Sequence, residues 1–201
     1  MYLITHSLLS AWLYAMRDNP YEDATTERDC YQDFLRTLRK EPGEQTEAML
    51  NGIAFEDLVT DIVNGDGDTG HKWYEAACKV ARLVKGGQLQ YKAKKEITVS
   101  GVKLLLYGRL DVLKAGEIMD IKFSKGYDRG KYIDSTQHPT YLELIPEAYR
   151  FTYLVTNGSE VWTEVYRRDE TPDIVPVIEG FLQYLREADL WEVFAANWKA
   201  A

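Results

Sequence analysis

Hydrophobic residues recur at helical spacing through the first 87 residues of the chain. Apolar positions three and four residues apart fall on one face of a helix. The clearest such stripe consists of Ala48, Met49, Ile53, Phe55, Leu58, Val59, Ile62 and Val63. The pattern predicts helices over residues 5–16, 22–40, 44–63 and 72–85, and the glycine pair at 86–87 ends the last of them.

The middle of the chain changes to the alternation and short apolar runs that are typical of strands. These runs predict strands over residues 88–99, 102–113 and 117–123. Farther on, the pattern predicts a helix over 136–156 kinked at Pro146, a strand over 159–168 and a helix over 174–188. Trp191, Phe194 and Trp198 follow at helical spacing and predict packing. This order predicts an α/β (α+β) fold in which helices flank a central mixed sheet.

The length and composition are those of one globular domain. We expect a single domain over 1–201, with a helical part at 1–87, a sheet core at 88–168 and C-terminal helices at 169–201. No apolar run approaches the length of a membrane span, and the N-terminus lacks a signal-peptide pattern. The two cysteines form no disulfide framework. Together these features predict a cytoplasmic protein that does not bind membranes.

Two acids and a lysine flank the turn predicted between the last two strands of the meander. Pairing these strands can bring Asp111 close to Asp120, and Lys122 shares a face with Asp120 because it is two residues farther along the same strand. Carboxylates that converge repel one another unless a cation lies between them, and hard divalent cations prefer oxygen ligands. A lysine beside such a site can orient a water molecule. An acid and a lysine two residues apart are also common on exposed strands, where they form a weak surface pair.

Three further residues can join this site. Glu56 lies one turn after Gly52 on the third predicted helix, and a glycine inside a helix predicts close packing or the approach of another group there. Gln137 and Tyr141 are four apart at the start of a helix that Ser135 or Thr136 caps. The simpler interpretations are a solvated Glu56 and a capped helix with a buried tyrosine.

Charge is unevenly distributed along the chain. The formal net charge is −8, yet residues 79–131 hold 13 lysines and arginines against 5 acids. A basic segment around a carboxylate cluster suits a polyanionic substrate. Arg109 and the glycine-containing loop at 124–131, which we expect to be mobile, are candidates to steer it. Solvated lysines on exposed strands are the alternative, and Lys92, Lys94 and Lys95 fit it equally well.

A second acidic segment resembles a calcium loop. Asn64, Asp66, Asp68 and Glu75 occupy calcium-ligand positions, but Thr69 stands where the sharp turn requires glycine. We therefore favour a solvated connection between two helices there.

The combined motifs resemble the PD-(D/E)XK nuclease superfamily, and within it the RecB-like branch that includes phage exonucleases. They are Gly52-x-x-x-Glu56, Gly108-x-x-Asp111, Asp120-x-Lys122 and Gln137-x-x-x-Tyr141, in this order. The serine-containing helix start at 4–9 and Phe123-Ser124 are also similar to that branch. Many RecB-like members have His at the position of Glu56. Iron–sulfur members need four cysteines, and this chain has Cys30 and Cys78 alone, which excludes such a cluster within it.

The resemblance implies a restriction-endonuclease-like sheet and a role for each matching residue. Glu56, Asp111, Asp120 and the Ile121 carbonyl would hold Mg²⁺ or Mn²⁺, and Lys122 would orient the attacking water. Gln137 and Tyr141 would contact the phosphate or site waters. Substrate contacts would come from Arg109, Ser124, Lys125, Arg129 and Lys131.

The function implied is a metal-dependent deoxyribonuclease that acts on DNA in recombination, repair or phage DNA processing. The resemblance favours an exonuclease, and the residues themselves leave endonuclease cleavage open. A homo-oligomer or a repair or recombination partner is compatible with this interpretation. The alternatives are a non-catalytic nucleic-acid- or protein-binding module that retains the fold, and a calcium-loop interaction protein. The intact acids and Lys122 argue against a module with a decayed site.

Overall fold

The computed structural model of the chain describes residues 1–16, 30–43 and 45–200. Within those ranges it contains seven α-helices and six strands. The helices are α1 (His6–Met16), α2 (Cys30–Leu38), α3 (Glu47–Asn64), α4 (Tyr74–Val84), α5 (Gln137–Leu144), α6 (Val175–Glu187) and α7 (Trp191–Asn197). The strands are β1 (Tyr2–Ile4), β2 (Gln88–Val99), β3 (Val102–Lys114), β4 (Glu117–Phe123), β5 (Arg150–Thr156) and β6 (Val161–Arg167). The helix predicted over 22–40 is observed as α2, and its first part, 22–29, lies outside the described residues.

The strands form one six-stranded mixed sheet. Its order is β1-β3-β4-β5-β6, with β2 paired to β3. The β1–β3 and β4–β5 pairs are parallel, whereas the β3–β4 and β5–β6 pairs are antiparallel. This sheet and its helices confirm the predicted α/β fold with a central mixed sheet.

Both tight turns of the meander have the same backbone conformation. The turn between β2 and β3 has φ of 48° at Ser100 and 77° at Gly101, and the turn between β3 and β4 has the same two values at Ala115 and Gly116. Two consecutive residues with positive φ match the right-handed twist of paired strands. The predicted turn at 115–116 is therefore confirmed.

The chain divides into two compact units, each with its own packing. The first consists of Met1–Glu44, Lys94–Gly108 and Pro172–Ala201. Its core is aromatic: the Phe181 ring lies 5.5 Å from Trp12, 6.5 Å from Phe34 and 5.7 Å from Phe194. The Trp198 indole N–H donates to the Leu38 carbonyl at 2.8 Å. The predicted packing role of the C-terminal aromatic residues is thus confirmed.

The second unit consists of Gln45–Ala93 and Arg109–Thr171 and contains every predicted site residue. Buried side chains of α3 and α4 pack against strand residues that point to the same side. The members of this core include Phe55, Leu58, Val59, Ala77, Val80, Val84, Val112, Met119, Ile121 and Leu154. Because strand side chains alternate, Asp120 and Lys122 point to the opposite side of β4 from Met119 and Ile121.

The helix predicted over 136–156 is observed only up to Leu144, and the prediction is wrong for its second part. Helix α5 ends at Leu144, and residues 150–156 form β5, which lies between β4 and β6. Pro146 removes a backbone donor just after α5, and the run from Arg150 to Thr156 is rich in aromatic and β-branched residues. Six of its seven residues are buried. A strand buried on both faces lacks the alternation that would have distinguished it from a helix.

Strand β1 was not predicted from the sequence. It has three residues and pairs with β3 from Tyr2↔Leu104 to Ile4↔Leu106. A strand this short has too few positions to show a period. No helix within the described ranges is both long and apolar enough to cross a bilayer.

Candidate active site

The β3–β4 hairpin places Asp111 and Asp120 at neighbouring positions of the sheet. Val112 pairs with Met119, and Asp111 and Asp120 are the next residues along their strands. The backbone N–H of Ile121 donates to Asp111 Oδ2 at 2.8 Å. The predicted approach of the two acids is therefore observed.

Asp120 lies at the centre of the site and is almost fully buried. Its Oδ1 accepts a short hydrogen bond from the Gln137 side-chain amide, and its Oδ2 lies 2.7 Å from Lys122 Nζ. Burial alone would lower the pKa of Lys122, but the Asp120 carboxylate outweighs burial and raises it. Lys122 is therefore a charged ammonium at neutral pH, with about a third of its side chain (33%) exposed.

Glu56 and Asp111 are electrostatically linked to the same centre. Burial and the charge of Asp120 raise the pKa of Glu56, while Lys122 and Arg109 lower it. Burial raises the pKa of Asp111 well above its usual range, and the charges of Asp120 and Glu56 raise it further. Glu56 is partly buried, unlike its exposed neighbour Asp57. Glu56 is therefore partly buried and within electrostatic range of the strand acids, rather than fully solvated.

Helix α5 supplies two groups on the same side of the sheet. Gln137 binds Asp120, and the Tyr141 hydroxyl donates to the Arg109 carbonyl at 3.1 Å. Burial raises the pKa of Tyr141, and the charges of Asp120 and Asp111 add to this effect. Ser135 Oγ accepts from the Gln137 backbone N–H at 3.2 Å and so holds the start of the helix. The i, i+4 spacing thus places both side chains near the acids.

The glycine at position 52 does not have the packing role that the sequence predicted. A Cβ at Gly52 would meet no atom within 4 Å among the described residues outside its own helix. Met49 and Ile53, which belong to the predicted apolar stripe, are about half exposed. The core contacts of α3 begin at Phe55, so the first two turns of the helix lie outside the core.

The loop at 124–131, which the sequence predicts to be mobile, contains hydrogen bonds between its own residues. Ser124 Oγ donates to the Gly126 carbonyl at 2.8 Å. Lys131 Nζ donates to Ser124 Oγ at 2.7 Å and to the same carbonyl at 3.2 Å. The side chains of Lys125 and Arg129 are exposed. Among the predicted substrate contacts, Lys125, Arg129 and Lys131 are therefore all exposed, and Ser124 and Lys131 also bind within the loop.

Two tyrosines that the sequence did not indicate lie beside Asp120. Asp120 pairs with Tyr153 in the β4–β5 register, so their side chains share a face. The Tyr132 ring stacks on Tyr153 with centroids 4.3 Å apart. Burial raises the pKa of Tyr132 to about 12, while the charge of Lys122 lowers it and that of Asp120 raises it. The tyrosines were missed because their position depends on a strand that was predicted as a helix.

The donor chemistry of the site suits a hard divalent cation. Its acidic groups are carboxylates, and the buried Asp120 Oδ2 is paired with the Lys122 ammonium at 2.7 Å, so a cation would have to share this oxygen with Lys122. Repulsion among Glu56, Asp111 and Asp120 is the kind of strain that a cation relieves. As placed, however, no three His, Cys, Asp or Glu side chains among residues 1–16, 30–43 and 45–200 are close enough to hold one ion. Gln137 and Lys122 are the partners of the Asp120 carboxylate, and the Ile121 N–H is a partner of Asp111.

The calcium-like segment forms an ordinary connection between α3 and α4. Gly65 ends α3 with φ of 95°. Asp68 Oδ1 accepts from the Gly70 N–H at 2.9 Å, and Glu75 lies in the first turn of α4. One of the proposed calcium ligands thus binds the backbone of its own turn.

The fold and the site define a mixed α/β protein with an acid- and lysine-containing centre on one face of its sheet. Among solved structures, the chain is similar to a protein described as "Crystal structure of SSO0001". The two share 16% identity with a TM-score of 0.56, over 92% of this chain and 77% of that one. This likeness supports the fold. No protein-family model matches the chain. No curated protein matches it either.

Proposed function

We propose that this chain is a divalent-cation-dependent deoxyribonuclease of the PD-(D/E)XK type, acting as an exonuclease. The observation that carries the proposal is the Asp120–Lys122 pair on β4, with the charge of Asp120 raising the pKa of both Glu56 and Asp111. An ammonium beside two strand carboxylates, with a third carboxylate on α3 within electrostatic range, supplies the groups that metal-assisted hydrolysis of a phosphodiester uses. The motif resemblance assigns the same residues.

Each residue of the site would have a role that follows from its surroundings. Glu56, Asp111, Asp120 and the Ile121 carbonyl would hold Mg²⁺ or Mn²⁺. Such an ion, when bound, neutralises phosphate charge and lowers the pKa of water. Lys122 keeps its proton and so can stabilise negative charge on the scissile phosphate and orient water.

Two other side chains keep the site in place. Gln137 fixes the Asp120 carboxylate through its amide, and Tyr141 ties α5 to the β3 backbone at Arg109. Substrate would arrive as a polyanion, and the exposed Lys125 and Arg129 follow the catalytic strand directly.

The experiment is incubation of end-labelled linear DNA and closed circular DNA with the protein in Mg²⁺, Mn²⁺ or EDTA. An exonuclease degrades the linear DNA, spares the circle and stops in EDTA. Loss of the circle would indicate endonuclease action instead. Cleavage that persists in EDTA would overturn the cation mechanism. If neither DNA nor RNA is cleaved with any of these ions, the chain is the non-catalytic binding module.

A further inference from the structure

The loop between β4 and α5 is anchored to the edge strand of the sheet through one carboxylate. Glu164 on β6 is buried and accepts the Tyr127 hydroxyl at 2.7 Å and a short hydrogen bond from the Tyr166 hydroxyl. It also accepts the backbone N–H groups of Gly130 and Tyr132, each at 3.2 Å. A single side chain therefore receives four hydrogen bonds, three of them from the loop. Charge-assisted bonds of this kind are stronger than neutral ones.

Two ring stacks hold the same loop at either end. The Tyr127 ring stacks on Trp162 of β6 at 5.7 Å, and the Tyr132 ring stacks on Tyr153 of β5 at 4.3 Å. Burial alone would raise the pKa of Glu164, but its hydrogen bonds lower it, so the carboxylate is charged at neutral pH. These contacts give the loop a defined conformation against β5 and β6.

The second stack ends beside the proposed catalytic pair. Tyr153 is the sheet partner of Asp120, and Val155 is the sheet partner of Lys122. Paired residues of parallel strands project to the same face, so the Tyr132 ring lies on the face that carries Asp120 and Lys122. A ring fixed there restricts where the Lys122 side chain can go.

We propose that Glu164 is a positioning residue, which fixes the loop at 124–134 and, through the Tyr132 ring, holds Lys122 in place against Asp120. This inference rests on the proposed function for its catalytic consequence. Its structural part, the anchoring of the loop, stands independently. Glu164 itself touches neither substrate nor the reacting atoms.

The rate of proteolysis within the loop can show whether the loop is anchored. Lys125, Arg129 and Lys131 are trypsin sites within a segment that a fixed conformation protects. Glu164→Gln keeps the size of the side chain but replaces one acceptor oxygen with a donor. We expect cleavage at these three bonds, mapped by mass spectrometry, to be about tenfold faster in Glu164→Gln than in wild type. Glu160→Gln is the matched control, because Glu160 is an exposed acid just before the same strand, and its tryptic rate should not change.

A double-mutant cycle tests whether Glu164 acts through Lys122. Glu164→Gln should lower kcat about tenfold with little change in KM, since positioning is lost rather than binding. In a Lys122→Ala background the same change should cost less than about twofold, because the group it positions is already absent. Tyr132→Phe keeps the ring and should retain turnover, whereas Tyr132→Ala should reproduce the Glu164→Gln defect.

Each result decides a separate part of the inference. Unchanged tryptic rates in a folded Glu164→Gln protein, checked by circular dichroism, would overturn the anchoring. Faster proteolysis with losses in kcat that multiply independently would overturn the action through Lys122. If wild type cleaves no DNA, the proposed function fails and the positioning role fails with it, while the tryptic rates still decide the anchoring.

Discussion

At the scale of single residues, Asp120 determines what the site can do. It is buried, and its two oxygens are engaged by an amide from α5 and an ammonium from its own strand. A buried carboxylate is tolerated when such partners compensate for the lost hydration. For the other two acids, Glu56 and Asp111, burial raises the pKa, and the charge of Asp120 raises it further.

Asp111→Asn should stabilise the metal-free protein at neutral pH. The folded pKa of Asp111 lies above the unfolded value of 3.8, so the folded state binds more protons in the window between them. Stability therefore falls as pH rises through that window, and an uncharged asparagine avoids the loss. Asparagine can still accept the Ile121 N–H. We expect a thermal midpoint higher by about 2–4 °C, the change that ~1 kcal/mol causes in a chain of this size.

This gain should disappear below the unfolded pKa value of 3.8, where wild type is protonated in both states. Thermal melts of both proteins in EDTA across pH provide the measurement. Asp61→Asn, an exposed acid on α3, is the control and should change little. A midpoint for Asp111→Asn that equals or falls below wild type at neutral pH would contradict the claim that this charge is unfavourable.

Lys122→Ala should lower turnover by about 10² or more, the scale of losing one preorganised stabilising group. The ammonium is charged and 2.7 Å from Asp120, so its removal also leaves a buried carboxylate without its ion pair. Steady-state cleavage of labelled DNA in saturating Mn²⁺ is the measurement. Lys199→Ala removes an exposed lysine outside the basic segment and serves as the control. Equal turnover in the two variants would remove Lys122 from the catalytic set.

At the scale of elements, the β3–β4 turn sets the separation of the two strand acids. Gly116 has φ of 77°, and a Cβ there would lie 3.1 Å from the Tyr149 ring. Gly101 in the β2–β3 turn has the same φ, but a Cβ there would meet nothing within 4 Å among the described atoms. The two glycines thus form a matched pair that separates backbone strain from a steric clash.

Gly116→Ala should be more destabilising than Gly101→Ala. Both substitutions place a side chain at positive φ, a strain of about 1 kcal/mol, and Gly116→Ala adds the contact with Tyr149. Urea unfolding should show a free energy of unfolding lower by about 1 kcal/mol in Gly101→Ala and by about 2 kcal/mol in Gly116→Ala. Equal losses would mean that the Tyr149 ring moves aside at no cost.

The loop after β4 should contribute to DNA affinity through two of its three basic residues. All three are exposed, but the Lys131 ammonium already donates to Ser124 and Gly126, so it is less available to a phosphate. Each phosphate contact that is lost should make the log–log salt dependence of binding shallower by about 0.7 on single strands. Lys125→Ala with Arg129→Ala should therefore show a shallower slope than Lys131→Ala. DNA affinity measured in EDTA across a salt series tests this. Identical slopes in the two variants would mean that Lys125 and Arg129 are solvated and do not contact phosphates.

At the scale of the whole molecule, local patterns predicted what depends on neighbours in sequence. The 115–116 turn follows from its residues, and α3, α4 and α6 follow from their periodicity. The turn at 115–116 then predicted that Asp111 and Asp120 approach each other. The acids and Lys122 could thus be found from sequence because they lie on one hairpin.

Features that depend on distant strand pairing could not be predicted in this way. Strand β5 is buried on both faces and looks like a helix segment in sequence, and β1 is too short to show a period. Without β5, nothing places Tyr153 beside Asp120 or Glu164 next to the loop. The contacts around Tyr132 are therefore evident from the structure but could not be predicted from the sequence.

The central claim is that the Asp120-x-Lys122 strand is the catalytic element of a cation-dependent nuclease. Cleavage of end-labelled linear DNA by wild type and Asp120→Asn, in saturating Mn²⁺ and with matched folding, tests it most directly. We expect wild type to degrade the DNA and Asp120→Asn to have no detectable turnover. The variant should still bind DNA at least as tightly, because a repulsive carboxylate is gone. Wild-type turnover in Asp120→Asn would contradict the account.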